Sequence, residues 1–426
     1  MSTTRVRADS PWYSDGRYWV SPFNYAPAVR AQLDFPTQMR IYDSTLRKIL
    51  LSPTARITVT DALHVAELLR EAGVRHMFLN VYWWGSKDSP EPLAYNIVKA
   101  VLERFDFEAT VYLDDLWLPE WERRIDCILA LGARTVSIHL PTADLQLRSP
   151  NAPSRDAVLE RLSATVKYVR AAGARTTACI QDAARTDFEW LAGYLRHAVD
   201  LGVVRIDLCD SPSSLSPEGM KHFVLSVRER LHDRVPMTMH IHDDRGLADA
   251  GALAAATVGC WPDCAVNGVS YRAGFASLQN VVAALEILYG VDTGIDMTKF
   301  TALSKLVASL SYPIQPHRAI TGDHAFVKEV PGSVAAALAA GERYFPPIDS
   351  VVSPEMFGAK THVVWGRQTL AGAALQAKFQ QLGLKATPGD VERVRRVLVQ
   401  KLGAVHTHPY WLEDDEVSTV CREMLK

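Results

Sequence analysis

From Met39 onward, short apolar or β-branched runs alternate with longer stretches whose apolar residues recur every three or four positions. The short runs fall at 40–44, 76–82, 108–113, 135–140, 175–180, 203–209, 236–241 and 265–269. Their length and composition predict strands. Between them, 59–72, 120–131, 155–172, 187–201 and 217–232 carry the helical period. Asp, Ser or Thr often precedes these helices. Gly73, Gly132, Gly173 and Gly202 follow them, each at the same place in the repeating unit. Strands that alternate with helices must run parallel, because each helix serves as the crossover. Eight units within residues 39–274 approach the ~250 residues typical of a closed barrel. The pattern predicts a (β/α)8 TIM barrel followed by a smaller, mostly helical C-terminal region. An open doubly wound sheet is the other arrangement that eight such units allow.

The pattern breaks at both ends. Residues 1–38 are rich in Pro, Tyr, Trp and Arg without a period and read as an N-terminal arm. The barrel domain is expected over 39–290, with linker and helical subdomains over 291–426. Helical periodicity returns at 325–341, 369–383 and 388–402. Leu370, Ala374, Leu375 and Phe379 form an apolar face there, from which a homodimer is expected. The chain is 48% hydrophobic with a formal charge of -2, so no single-sign field points to nucleic acid or an anionic membrane. No apolar run is long enough for a membrane span and no leader pattern opens the sequence, so a cytoplasmic protein is expected. Cys260 and Cys264 have a ligand-like spacing without a second pair, and reduced thiols are the simpler reading.

In a barrel, chemistry sits at the C-terminal ends of the strands. Polar residues cluster there: Asp43, Arg47 and Lys48 after the first strand, His139 on the fourth, Gln181 after the fifth, Asp210 and Ser211 after the sixth. On the seventh, His240-Ile241-His242 puts two imidazoles on one face, because alternate strand residues point the same way. Such a pair can chelate a divalent ion or be two hydrogen-bonded core histidines.

Three barrel motifs, in order, and a linker segment resemble a known family. Ile41-Tyr-Asp43-Ser-Thr-Leu-Arg47 is similar to the opening strand of the synthases and lyases that include homocitrate synthase, isopropylmalate synthase and hydroxymethylglutaryl-coenzyme A lyase. His240-Ile-His242-Asp-Asp-Arg-Gly resembles their His-x-His strand. Val266-Asn-Gly-Val-Ser-Tyr-Arg-Ala-Gly resembles their eighth-strand motif, and Thr321-Gly-Asp-His-Ala-Phe resembles the linker of the synthase branch. The resemblance implies a Claisen-type condensation in which an acyl-coenzyme A, usually acetyl-coenzyme A, attacks a 2-oxo acid held on a divalent metal ion.

The departures fall on the implied metal site. The family's metal-ligating aspartate is Lys48 here, and its strand carboxylates are Phe78 and Gln181. Ser137 stands at a family histidine, with His139 two residues on; Tyr271 replaces a further glutamate, and Ser333 aligns with the linker's catalytic histidine. Two histidines alone make a weak divalent site, since about three protein ligands are usual. His240 and His242 are therefore candidate metal ligands, and Lys48 is the alternative source of positive charge. Lys48 could polarise a carbonyl, act as a base, form a Schiff base, or be a solvated loop lysine. Arg47 and Lys48 are the candidate catalytic residues. Arg47, His139, Gln181 and Ser211 are expected to bind substrate, and Trp83-Trp84 to narrow its pocket. Besides the synthase, a retro-aldol or retro-Claisen lyase using Lys48 and a non-catalytic relative remain open.

Overall fold

The computed structural model describes residues 10–84, 86, 89–114, 116–341, 350–370, 372–406 and 410–425. Part of the expected arm, residues 1–9, lies outside them. Two compact units divide the chain: Ala26–Ile314, and Met1–Tyr25 together with Gln315–Lys426.

The larger unit is a closed parallel barrel. Its strands are β1 (Tyr42–Asp43), β2 (His76–Asn80), β3 (Glu108–Leu113), β4 (Thr135–His139), β5 (Arg175–Ile180), β6 (Ile206–Asp210), β7 (Met237–Ile241) and β8 (Cys260–Cys264). Each pairs with the next, and β8 closes on β1. The closed barrel, not the open sheet, is therefore what these units form. Val111, Val136, Ile138, Ile206, Met239 and Ile241 pack outward beneath the helices and are almost fully buried. The helix ends read in the sequence follow the caps: Thr58 closes a capping box with Asp61, and Ser154, Asp187 and Ser216 each accept a backbone N–H of the following turn.

Two boundaries differ from expectation. The eighth strand is Cys260–Cys264, earlier than 265–269; Val266–Gly268 is instead a tight turn in which Asn267 adopts φ 56°. Left-handed backbone of that kind ends a strand. The first strand is only two residues long, because a seven-residue helix, α1 (Thr45–Leu51), starts immediately after it. Asp43 fixes this start: its carboxylate accepts from the Thr45 amide at 2.9 Å and the Thr45 hydroxyl at 2.7 Å.

The barrel lumen is not an oily plug. Arg205 and Asp207 pair at 2.5 Å, both buried. Asp207 also accepts from Thr177 and Thr238, and Arg205 donates to Tyr42 and Thr110. The guanidinium lies 4.4 Å from the Tyr42 ring centroid and 5.0 Å from that of Phe78. A buried charge pair needs such complete satisfaction to be tolerated. Above it, Tyr42, Phe78, Tyr112, Cys179 and Cys209 form an apolar cluster.

In the second unit, α2 (Pro331–Ala340), α3 (Gly372–Gln381), α4 (Pro388–Gly403) and α5 (Asp414–Met424) surround a three-stranded sheet of Val327–Lys328, His362–Trp365 and Leu412–Glu413. Leu370, Ala374, Leu375 and Phe379 are buried in this unit's own core with Trp365, Val394, Leu398 and Val417. The apolar stripe read as a dimer face is thus consumed within one chain. The helical period reports burial without reporting which chain supplies the cover.

Candidate active site

Strand alternation turns Thr238 and His240 of β7 inward, and His242 continues the same row just beyond the strand. Register then decides the partners. Asp263 of β8 lies directly opposite His240. Their side chains meet at 2.6 Å, Nδ1 to Oδ2, and the other Asp263 oxygen accepts from the Ser44 hydroxyl at 2.7 Å. The Nδ1 of His242 is held 3.1 Å from the Gly274 carbonyl oxygen. A carbonyl only accepts, so His242 donates from Nδ1 and keeps its Nε2 lone pair. The Asp263 carboxylate selects the same tautomer of His240.

Both lone pairs point at one atom. Lys48 Nζ, carried inward by α1, lies 3.0 Å from His240 Nε2 and 3.2 Å from His242 Nε2. Lys48 is 1% exposed, so the solvated loop lysine is excluded. Its amine sits 4.5 Å from the Phe275 ring centroid and 5.3 Å from that of Tyr271. Burial, with the nearby charge of Arg47, holds the amine well below the ordinary lysine range, against the pull of Asp263. The aromatic faces favour the ammonium, by about 0.5–2 kcal/mol each. Withdrawing an ammonium from water costs roughly 4–7 kcal/mol at a fully buried lysine, so burial dominates. Both imidazoles are neutral: burial pushes His242 down to about 2 and His240 well below its usual range. Burial raises the Asp263 carboxyl to about 7.

A divalent metal does not fit this donor set. The two imidazole lone pairs that would ligate it are taken by the Lys48 amine, and Phe78 brings an apolar ring to a lumen position where the resembled family has a carboxylate. Among the described residues, no cluster of three or more His, Cys, Asp or Glu is placed to hold an ion. Cys260 and Cys264 are free and buried on β8.

Arg47, next to Lys48 on α1, stacks over Tyr112 at 4.0 Å. Its Nε and Nη1 are buried without a hydrogen-bond partner among the described residues, as are the Tyr112 hydroxyl and His139 Nε2. Such donors call for an acceptor that enters from outside. His139 Nδ1 meets Asp114 at 3.0 Å, and Asn80 donates to the other Asp114 oxygen at 2.8 Å. Burial disfavours the imidazolium, but the Asp114 hydrogen bond and charge outweigh it and raise His139 to about 9. Cationic groups that lack acceptors therefore face one region of the mouth.

Gln181 and Ser211 stand elsewhere. They line a cavity of about 540 Å³ at the rim, with Asp182, Arg185, Asp244 and Arg272. Gln181 accepts from Gln146 at 2.7 Å, and the Ser211 hydroxyl accepts from the Asp182 amide at 3.2 Å. Neither tryptophan narrows this cavity. Trp83 is buried beside Arg124, and Trp84 stacks on Tyr82 beside a separate cavity of about 430 Å³. Asp210 is structural, receiving Ser214 and Leu215 amides. Ser333, where the resembled family has a catalytic histidine, is buried in the second unit, its hydroxyl donating to the Val330 carbonyl oxygen at 3.1 Å.

Sequence reasoning missed Asp263 and Asp114. Asp263 lies inside a Cys-x-x-x-Cys spacing, where the two thiols are the more conspicuous signal. Asp114 directly follows an apolar strand run, and that position was signal enough.

Residues 38–307 match the HMGL-like family. The chain is 30% identical over 404 residues to a homocitrate synthase of Methanopyrus kandleri, covering 94% of this chain and 95% of that one. It is 29% identical over 359 residues to an (R)-citramalate synthase of Methanocaldococcus jannaschii, covering 84% and 69%. A hydroxymethylglutaryl-CoA lyase structure from Pseudomonas aeruginosa shares the barrel fold, with a TM-score of 0.55 at 17% identity, over 65% of this chain and 93% of that one. With its His-x-His strand at the mouth of a closed parallel barrel, the chain is an enzyme that belongs to the HMGL-like family of synthases and lyases.

Proposed function

We propose that this enzyme carries out a Claisen-type condensation of an acyl-coenzyme A with a 2-oxo acid, with Lys48 meeting the oxo group where the resembled family uses a metal ion. The observation that carries the reading is the convergence of two neutral imidazole Nε2 atoms on one buried amine. The coarser assignment, a condensing enzyme, rests on relatives named as homocitrate, citramalate and isopropylmalate synthases. The unpartnered Arg47 donors and the charged His139 suit the substrate carboxylate, since a guanidinium pairs with carboxylate through two parallel hydrogen bonds. Gln181 and Ser211 would contact the remainder of the substrates at the rim cavity. The lyase direction uses the same centre. A relative without catalysis gives no reason to keep buried cationic donors unpaired.

The test is thiol release from acetyl-coenzyme A across a panel of 2-oxo acids, with and without a chelator. Activity is expected to survive chelation, with substoichiometric metal in the purified protein. Lys48→Met is expected to lower kcat about 100- to 1,000-fold, as for removal of one preorganised electrostatic group. Full activity in Lys48→Met, or activity restored only by a divalent ion, would falsify the reading.

A homodimer in the cytoplasm is part of the proposal. No helix among the described residues is long and apolar enough to cross a membrane, and all six cysteines are free. Since the stripe around Leu375 is used within the chain, the dimer would need another face. Light scattering at micromolar concentration decides it, and a monomer removes this part.

A further inference from the structure

We infer that Lys48 is a covalent catalyst, forming an imine with the 2-oxo acid, and that the oxo acid is consequently the nucleophile of the condensation. This rests on the reading above that Lys48 meets the oxo group, and it reverses the polarity implied by the resemblance.

The argument begins with hydrogen counting. Both imidazoles spend their Nδ1 hydrogen elsewhere, on Asp263 and on the Gly274 carbonyl. Both Nε2 atoms therefore accept from Nζ, at 3.0 and 3.2 Å. A neutral amine has two hydrogens and one lone pair. With both hydrogens committed to the histidines, the lone pair has one direction left. That is the geometry of an oriented nucleophile: an amine held by bases that are themselves held by a third group. The Phe275 and Tyr271 rings beside Nζ add to this, because their faces stabilise the cationic iminium more than the neutral amine.

The steps balance without a further reagent. Nζ attacks C2 of the oxo acid, the carbonyl π bond breaks and one amine hydrogen moves to the new hydroxyl; with one proton taken up from solvent, which the final hydrolysis returns, the carbinolamine loses water to give an iminium that keeps the other N–H. Its positive charge acidifies the C3 hydrogen. One of His240 and His242 is the adjacent base, since one Nε2 lone pair is released as one amine hydrogen is consumed and the other still accepts the iminium N–H. The product is an enamine. C3 attacks the thioester carbonyl of the acyl-coenzyme A, the C–S bond breaks, and the thiol leaves with a proton. Water then hydrolyses the iminium, giving a 2,4-dioxo acid and the free amine.

The opposite polarity fails on the same chemistry. If an acyl-coenzyme A enolate attacked the iminium carbon, the new C–C bond would leave a saturated carbon joined to Nζ. Water cannot hydrolyse that C–N bond, and the enzyme would stop after one turnover.

The experiment treats the full chain with pyruvate or 2-oxobutyrate and borohydride, followed by peptide mass spectrometry. The Lys48 peptide is expected to gain the mass of the oxo acid less one oxygen atom. Lys48→Arg, which is permanently charged and has no nucleophilic lone pair, is expected to gain nothing. In parallel, each substrate is incubated alone with enzyme in D2O. Exchange at C3 of the oxo acid, lost in Lys48→Arg, supports the enamine. Turnover without trapping, with exchange only at the acyl group of acetyl-coenzyme A, overturns the imine and leaves the proposed condensation standing. Neither exchange nor thiol release with any oxo acid overturns both.

Discussion

Asp263 governs the centre without touching a substrate. Its carboxylate fixes which nitrogen of His240 carries hydrogen, and so keeps Nε2 free to receive Lys48. Asp263→Asn preserves the shape but can present an amide N–H to the histidine, which favours the other tautomer. The expected result is a fall in kcat of about 10- to 100-fold with little change in KM, the range seen when a ligand-orienting neighbour is lost. A matching loss of borohydride trapping at Lys48 would mark the effect as one on the amine. Unchanged kcat in the folded variant would remove Asp263 from the positioning role.

At the scale of elements, the site depends on strands that keep register around a charged lumen. Arg205 on the approach to β6 is tied to β1 through Tyr42 and to β3 through Thr110, while Asp207 reaches β5 and β7 through Thr177 and Thr238. Breaking one half leaves a buried charge without its partner. Arg205→Ala is expected to cost about 3–5 kcal/mol, read from urea unfolding. The double replacement Arg205→Met with Asp207→Leu is expected to be much milder, because no charge is stranded. Equal losses in the single and double variants would show that packing rather than charge holds the lumen. Helix α1 is the second dependency: Asp43 starts it, and it alone delivers Arg47 and Lys48.

For the whole molecule, the half-buried His139–Asp114 pair predicts a pH dependence. His139 is raised to about 9 in the folded protein, above the value of about 6.5 in an unfolded chain. Its contribution is therefore complete below about 6.5 and is lost as pH rises through about 9. Asp114, with His139 and Arg47 opposing its burial, is held below the ordinary carboxylate range and does not titrate in that window. Stability measured by denaturant should decline between these limits, and His139→Gln should flatten the decline. The same slope in the variant would assign it to other groups.

Periodicity and caps alone determined the β–α units and the strand ends at which polar residues gather, whereas their closure into a barrel rather than an open sheet was decided by the β8–β1 pairing. The units and strand ends are local properties: a strand that alternates and a helix that repeats every 3.6 residues announce themselves in the order of side chains. The inward row of His240 and His242 was legible for the same reason. What the two histidines hold was not. Lys48 at their Nε2 atoms, Asp263 behind His240 and Asp114 behind His139 come from strands and a helix distant in sequence. Cross-strand register and the direction of α1 bring them together. The fate of the Leu375 stripe was equally hidden, since burial by the chain itself and burial by a second chain leave the same period. Only the tertiary structure decided that the imidazoles face an amine, because charge and hydrogen-bond pairing depend on distances through space that the order of residues does not carry.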